Sequence, residues 1–380
     1  GGTEMADSRL DIVLKQIDKK YGKGTVIRGS QYPDLPRFSS GIFSLDVEIG
    51  GGIPRGRILI MTGSESTGKT TVAKKVLATA QNTCAVCSTH FQADLETGEW
   101  QCPKCKDDGR PFKGFYCDIE GTFDPRWFEA LGGHPEDLYL FQPEFAEQAV
   151  DVIEAVIRTG EVDIIVIDSI AMMSPAVEIE KSAEDQLMGT HAKLVNRLMR
   201  AIQAGFNSLG TTNTRKPTVL LINQLREKVG VMFGNTETMP GGRGQSFASS
   251  ITLKFFARPS ERIYESIGEK KPVGQQVRFS VEKNKTYPPH KQGIFTLYTD
   301  TSEEYGVRKG QIDNTLSILR YGVRYDVIMK AGSWLSYVRD SGEEVKVQGE
   351  DRFVIEMERD RTLEDEIAKK VMAKVLGDRR

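Results

Sequence analysis

An apolar run, Ile58-Leu59-Ile60-Met61, leads into Gly63-Ser64-Glu65-Ser66-Thr67-Gly68-Lys69-Thr70, and a helical pattern over 70–81 follows. The eight residues fit G-x-x-x-x-G-K-[ST] in its required setting, with a strand entering and a helix leaving. The glycines let backbone N–H groups curl around phosphate oxygens, and the helix N-terminus adds partial positive charge. Lys69 is placed to contact the β- and γ-phosphates, and the Thr70 hydroxyl, with Thr71 beside it, to ligate magnesium. A chance glycine-rich turn is the bland alternative, and the order of strand, motif and helix argues against it.

Strand patterns recur at 57–62, 114–118, 162–168, 219–222, 251–256, 277–281 and 294–298, with helical patterns at 70–81, 125–131, 146–159 and 185–207. Ile58–Met61 and Ile164-Ile165-Val166-Ile167 are continuous apolar runs, the signature of strands buried on both faces. The expectation is an α/β fold with a mainly parallel central sheet. The 380 residues suffice for two or three domains. Residues 38–306 are read as the core, with an insertion over 82–113. A small C-terminal α/β domain over 307–380 ends in a charged helix carrying Ile367, Val371 and Val375. Residues 5–37 hold a helical segment with Leu10, Val13, Leu14 and Ile17 on one face, then a short Val26–Ile27 strand and a linker with Pro33 and Pro36. Periodicity leaves two readings of that face open: packing on its own core, or docking on another subunit.

The 51 basic residues nearly balance the 53 acidic ones, giving a net charge of −2. That excludes a uniformly basic nucleic-acid binder. No apolar run approaches a membrane span, and no secretory signal is evident, so a cytoplasmic protein without membrane partners is expected.

Asp168 ends an apolar strand about a hundred residues after the phosphate loop, where a second magnesium group belongs. A strand-end turn cap is its alternative. Glu120 follows the 114–118 strand by two residues and is a candidate for activating water; a solvated glutamate is the alternative. Gln224 follows 219–222 in the same way and could contact a γ-phosphate, or could be a turn residue.

Cys84-x-x-Cys87 and Cys102-x-x-Cys105 are separated by fourteen residues, just below the usual ribbon spacing. Two turns of paired thiolates make a tetrahedral zinc site, and with all four positions filled by cysteine the metal is structural. Redox pairs and disulfides are the alternatives. Cys117 lies in a strand and reads as a small buried hydrophobe.

Lys193, Arg197 and Arg200 form a basic stripe on the 185–207 helix, beside an apolar face of Leu194, Leu198 and Ile202. A solvated face is the default for such a stripe. Residues 226–244 are glycine-rich and aperiodic, with Arg226, Lys228, Arg243, Met232 and Phe233. Backbone N–H groups at Gly241, Gly242 and Gly244 could approach phosphates, and Met232 or Phe233 could wedge between bases. A protein-binding loop is the rival reading.

Taken in order, these segments resemble the RecA family of recombinases, over about 8–81 and 114–340. The resemblance rests on Gln16-Ile17-Asp18-Lys19-Lys20-Tyr21-Gly22-Lys23-Gly24, the phosphate loop, 162–169, Ile222-Asn223-Gln224-Leu225-Arg226, 230–238 and Lys283-Asn284-Lys285. It implies a RecA-like P-loop NTPase core that binds ATP and magnesium, assembles on single-stranded DNA, pairs it with a homologous duplex and exchanges strands. It implies Glu120 as the water-activating residue, Gln224 as the γ-phosphate sensor, and Asp124 and Trp127 at the adenine. Lys283 and Lys285 would reach the neighbouring subunit's ATP. The 8–20 helix would be a docking arm, and head-to-tail docking builds a helical homo-filament. Asn196, Arg200, Gly241, Gly242 and Arg243 match DNA phosphate contacts, with Met188, Met232 and Phe233 as apolar ones. Two features depart from the family pattern: the four-cysteine insertion, and the ending Gly377-Asp378-Arg379-Arg380 in place of a long acidic tail. The reading is a DNA-dependent ATPase and recombinase of a bacterium or phage, carrying a structural zinc ribbon. The alternatives are a repair ATPase that remodels branched DNA, and an ATP-binding filament scaffold with little turnover.

Overall fold

The computed structural model describes residues 8–22, 25–31, 34–94, 99–174, 187–210, 216–227, 237–242, 244–266 and 271–377. Helix α1 (Arg9–Tyr21) starts at a reciprocal cap: Ser8 Oγ accepts from the Asp11 N–H, and the Asp11 carboxylate accepts from the Ser8 N–H. None of its residues is buried, and Leu10 is 65% exposed. The strand expected at Val26–Ile27 does not form; both residues are exposed and outside any strand. Among the described residues no neighbouring strand pairs with them, and an unpaired strand has no ladder to hold it.

Strands β1 (Arg37–Phe38) and β2 (Ile53–Pro54) pair across helix α2 (Phe43–Glu48). Next come β3 (Ile58–Gly63), α3 (Lys69–Gln81), a small ladder of β4 (Gln92–Ala93) with β5 (Trp100–Gln101), and β6 (Gly114–Asp118). They lead to α4 (Pro125–Ala130), β7 (Leu138–Phe141), α5 (Ala146–Thr159), β8 (Ile164–Asp168), α6 (Leu187–Ser208) and β9 (Thr218–Ile222). A pair of β10 (Arg226–Glu227) with β11 (Glu237–Thr238) precedes α7 (Gly244–Ala248), β12 (Ile251–Phe256) and β13 (Arg262–Ile263). Strands β14 (Gly274–Asn284), β15 (Gln292–Tyr298) and β16 (Ile312–Asp313) follow. The chain closes with α8 (Thr315–Arg324), an antiparallel sheet of β17 (Met329–Ala331), β18 (Trp334–Val338) and β19 (Glu344–Gln348), then α9 (Glu350–Arg359) and α10 (Arg361–Gly377).

The large sheet runs β16-β15-β14-β12-β3-β9-β8-β6-β7, with β13 paired to β14. From β12 to β7 every pairing is parallel; beyond β12 the strands are antiparallel. Alternate residues of β3 explain its unbroken apolar run. Leu59 and Met61 pack with Val72 and Val76 of α3, while Ile58 and Ile60 pack with Ile153 of α5 and Leu198 of α6. Both faces are thus covered, as parallel sheets require. Edge strand β7 is not anticipated by the sequence pattern, because its run is short and Tyr139 and Leu140 stay exposed. Among the described residues no helix is long and apolar enough to cross a membrane.

A third cluster joins Phe43 and Val47 of α2 to Ile318, Leu319, Phe353, Ile367 and Val371 of the C-terminal helices. The buried Glu48 lies at this seam, where its Oε1 accepts from Tyr321 Oη at 2.8 Å and from the Arg324 guanidinium. Among the described residues, Glu48 Oε2 has no hydrogen-bond partner. Arg324→Met leaves a buried carboxylate with one neutral donor. The expected loss is about 1–3 kcal/mol, reduced from the fully buried case because the guanidinium is half in solvent. Adding Glu48→Gln should recover much of it; urea unfolding that shows no recovery in the double variant contradicts this account.

Candidate functional site

The phosphate loop lies between the C-terminal end of β3 and α3. Gly63 (φ 151°) lies so close to β12 that a Cβ there would meet the Phe255 carbonyl oxygen at 2.5 Å. Gly68 (φ 89°) occupies the N-cap of α3, so Lys69, Thr70 and Thr71 form the first turn. Thr67 Oγ1 donates to the Ser64 carbonyl at 2.9 Å, closing the turn, and Lys69 Nζ donates to the same oxygen. Glu65, Ser66, Lys69, Thr70, Glu120, Asp168, Ile222 and Gln224 line one cavity of about 270 Å³. Burial pushes the Lys69 ammonium below its ordinary range, with Asp168, Glu120 and Glu65 opposing. A glycine-bearing turn, a helix N-terminus and a lysine in one cavity suit a polyphosphate.

Parallel pairing sets the acidic side of this cavity. Asp168 ends β8 level with Asp118 of β6, and both face α3. Burial pushes the Asp168 carboxyl up, against the hydrogen bond from Tyr116. Tyr116 Oη donates to Asp168 Oδ2 at 2.6 Å, while among the described residues the buried Oδ1 makes no hydrogen bond. A carboxylate that keeps one oxygen clear of Tyr116 and lies beside the Thr70 hydroxyl fits a hard divalent cation such as magnesium. Glu120 Oε1 accepts from Ser169 Oγ at 2.5 Å and from Gln224 Nε2 at 3.5 Å. Glu120 and Gln224 are therefore joined across the cavity. Asp118 accepts from the Thr122 and Phe123 N–H groups and from Gln142, which fixes the 119–124 loop. Sequence reasoning missed Tyr116, Asp118 and Ser169. Their signal was parity: Tyr116 and Asp118 alternate with Glu120, and Ser169 directly follows Asp168.

Asp124 caps α4, accepting from the Arg126 N–H at 2.9 Å. Trp127 packs against the α3-side core, with Lys309 Nζ 5.5 Å from its ring centre. Neither lines the phosphate cavity. Lys283 and Lys285 hold the carbonyl end of α7 in their own chain: Lys283 Nζ donates to Ser246 and Ser249 oxygens, and Lys285 Nζ to Phe247 at 3.0 Å.

On α6, Lys193 and Arg200 are exposed, whereas Arg197 is paired with Asp151 at 2.9 Å. The expected three-residue basic stripe therefore has one member already engaged by α5. The turn at Gly241–Gly242 is seated on α6. Gly241 (φ 93°) leaves no room for a side chain, since a Cβ would come within 2.9 Å of Val195, and one on Gly244 would strike Asn196. This brings Asn196, Gly241 and Gly242 together. Asn223, beside Gln224, donates to Pro240 O at 3.0 Å and to Gln245 Oε1 at 2.9 Å, tying the end of β9 to the turn at Gly241–Gly242. Sequence reasoning missed Asn223 and Gln245. Met232, Phe233 and Arg243 lie outside the described residues, as do the side chains of Met188 and Arg226.

Cys84, Cys87, Cys102 and Cys105 converge, with their four Sγ atoms within 4.8 Å of one another and Cys87 Sγ 3.5 Å from Cys102 Sγ. Tetrahedral zinc with Zn–S near 2.3 Å sets sulfurs about 3.8 Å apart. All four are free thiols, as is the buried Cys117. Burial opposes ionisation of Cys87, but hydrogen bonds from Thr89, Cys105 and Cys102 bring it down to about 6. The contact with Cys87 pushes Cys105 up to about 12. Between the two pairs, β4 and β5 form a short antiparallel ladder.

A family model described as the RecA N-terminal domain matches residues 8–96 and 106–302. Protein RecA of Oceanobacillus iheyensis is 38% identical over 334 residues, covering 87% of this chain and 83% of that protein. Protein RecA of Campylobacter fetus subsp. fetus is 34% identical over 374 residues, covering 97% and 93%. With the phosphate loop, the mainly parallel sheet and similarity along most of both chains, this protein belongs to the RecA family.

Proposed function

We infer that the chain is an ATP-dependent DNA recombinase that assembles as a filament on single-stranded DNA and exchanges strands with a homologous duplex. The observation that carries this reading is the single cavity that gathers the phosphate loop, Asp168, Glu120 and Gln224. Thr70 and Asp168 would hold magnesium, which supplies charge neutralisation to the phosphates. Glu120 holds and orients the attacking water, and Gln224, hydrogen-bonded to it, reads the γ-phosphate. The Gln224 strand is tied through Asn223 to the turn at Gly241–Gly242, so a change at the phosphate has a short path to the loop. Asn196, Lys193, Arg200 and the Gly241–Gly242 N–H groups would meet DNA phosphates, with Met188, Arg226, Met232, Phe233 and Arg243 completing that surface. Such contacts are sequence-tolerant, as a recombinase needs.

Filament assembly is supported by α1, an amphipathic helix with no buried residue, by exposed Val26 and Ile27, and by the open edge of β7. Lys283 and Lys285 would leave the α7 carbonyls to reach a neighbour's ATP, and Asp124 and Trp127 would meet the adenine. Residues 82–113 form a zinc ribbon on Cys84, Cys87, Cys102 and Cys105. The chain acts in the cytoplasm of a bacterium or of a phage host.

ATP hydrolysis should be low alone and rise with single-stranded DNA, and homologous DNAs should form joint molecules with ATP present. Absence of strand exchange overturns the recombinase reading. Lys69→Ala should cut hydrolysis by at least about 100-fold, the order seen when one charge-stabilising donor is lost. Metal analysis of protein prepared without chelator should give about one zinc per chain, and chelation should lower the thermal midpoint. Less than about half a zinc per chain rejects the ribbon.

A further inference from the structure

Lys74 is an unusual residue for its place. It lies inside α3 and the residue is only 2% exposed. Its contacts are two rings: Nζ lies 5.1 Å from the centre of Phe123 and 5.6 Å from that of Tyr116. Those rings meet edge-on at 5.1 Å, forming a platform for the cation. Burying an ammonium this way costs free energy that methionine or leucine would not incur. The Tyr116 hydroxyl poses the same question, since phenylalanine would fill the same core volume.

The two polar groups converge on one carboxylate. Thr70 and Lys74 are four residues apart, one turn, on the same face of α3. That face meets Tyr116 of β6 and Asp168 of β8. Tyr116 lies two residues short of the strand end, so its ring runs along the sheet and its hydroxyl arrives at Asp168 Oδ2. Asp168 Oδ1 is buried and, among the described residues, makes no hydrogen bond at the cavity. Asp118, Glu120, Asp124 and Asp168 all act electrostatically on Lys74.

We propose that Tyr116 and Lys74 are positioning residues for Asp168. Tyr116 fixes one carboxylate oxygen so that the other faces magnesium, and Lys74 supplies the buried charge that offsets the surrounding carboxylates. The inference rests on the nucleotide reading above. It makes the metal side of the site a three-layer device: Asp168, then Tyr116, then Lys74 beneath both.

The test is equilibrium binding of a fluorescent ATP analogue, titrated with magnesium, for wild type, Tyr116→Phe and Lys74→Met. Removing an outer partner of a metal ligand weakens metal affinity about 10–100-fold. The magnesium concentration at half-saturation should rise by about 10-fold in Tyr116→Phe and several-fold in Lys74→Met. Thermal unfolding of the free protein separates positioning from packing: Lys74→Met should melt no lower than wild type while needing more magnesium. Magnesium curves within about twofold of wild type in both variants overturn the proposal. So does a Lys74→Met variant that only loses stability while Tyr116→Phe is unshifted. Should wild type itself lack magnesium-dependent binding, the nucleotide reading falls as well; a normal wild type with unshifted variants removes this inference alone.

Discussion

Parallel pairing of β12, β3, β9, β8 and β6 brings Gly63, Gln224, Asp168 and Asp118 to one edge of the sheet. Every parallel connection must cross back over a face, so helices cover both faces and the C-terminal edge is left for chemistry. The register does the rest: Asp118 lies level with Asp168, and β3 ends where β12 approaches within van der Waals distance of Gly63. Shifting one strand by one residue would turn Asp168 to the opposite face, into the α5–α6 core.

The cysteine-bearing insertion is attached at two sensitive points. It leaves from the end of α3, whose other end is the phosphate loop, and returns into β6, whose far end leads to Glu120. Its base is held by Asp163, which accepts from Arg110 at 2.6 Å and from Arg55, while the Arg55 guanidinium stacks 4.7 Å over Phe112. The insertion thus rests on the N-terminal end of the sheet, away from the phosphate loop. Its four basic residues, Lys104, Lys106, Arg110 and Lys113, are outnumbered by five acidic ones.

Most of the strands and helices were legible because their patterns are long and their environments uniform. The runs at 58–61 and 164–167 are apolar on every residue because both faces are packed. Strand β14 outgrew its sequence pattern, since antiparallel partners on both sides extend its ladder beyond the apolar 277–281 stretch. Edge strand β7 and the failed Val26–Ile27 strand mark the opposite limit. Whether a short segment is a strand depends on a partner, and the partner is distant in sequence. Arg197 makes the same point for charge: the stripe on α6 is visible in sequence, but Asp151 on α5 takes one member out of it.

Sequence by itself determined the phosphate loop, the α/β class, the four-cysteine grouping and the acidic candidates at strand ends. These are local: spacing along the chain places glycines in a turn, thiols on adjacent knuckles and a carboxylate after a buried strand. Tertiary structure decided what each group touches. Tyr116 reaches Asp168 from another strand, Ser169 and Gln224 meet on Glu120, and Lys74 is buried between two rings. The reason is physical. Hydrogen bonding and burial depend on distance across the sheet, and pairing register and helix packing set that distance.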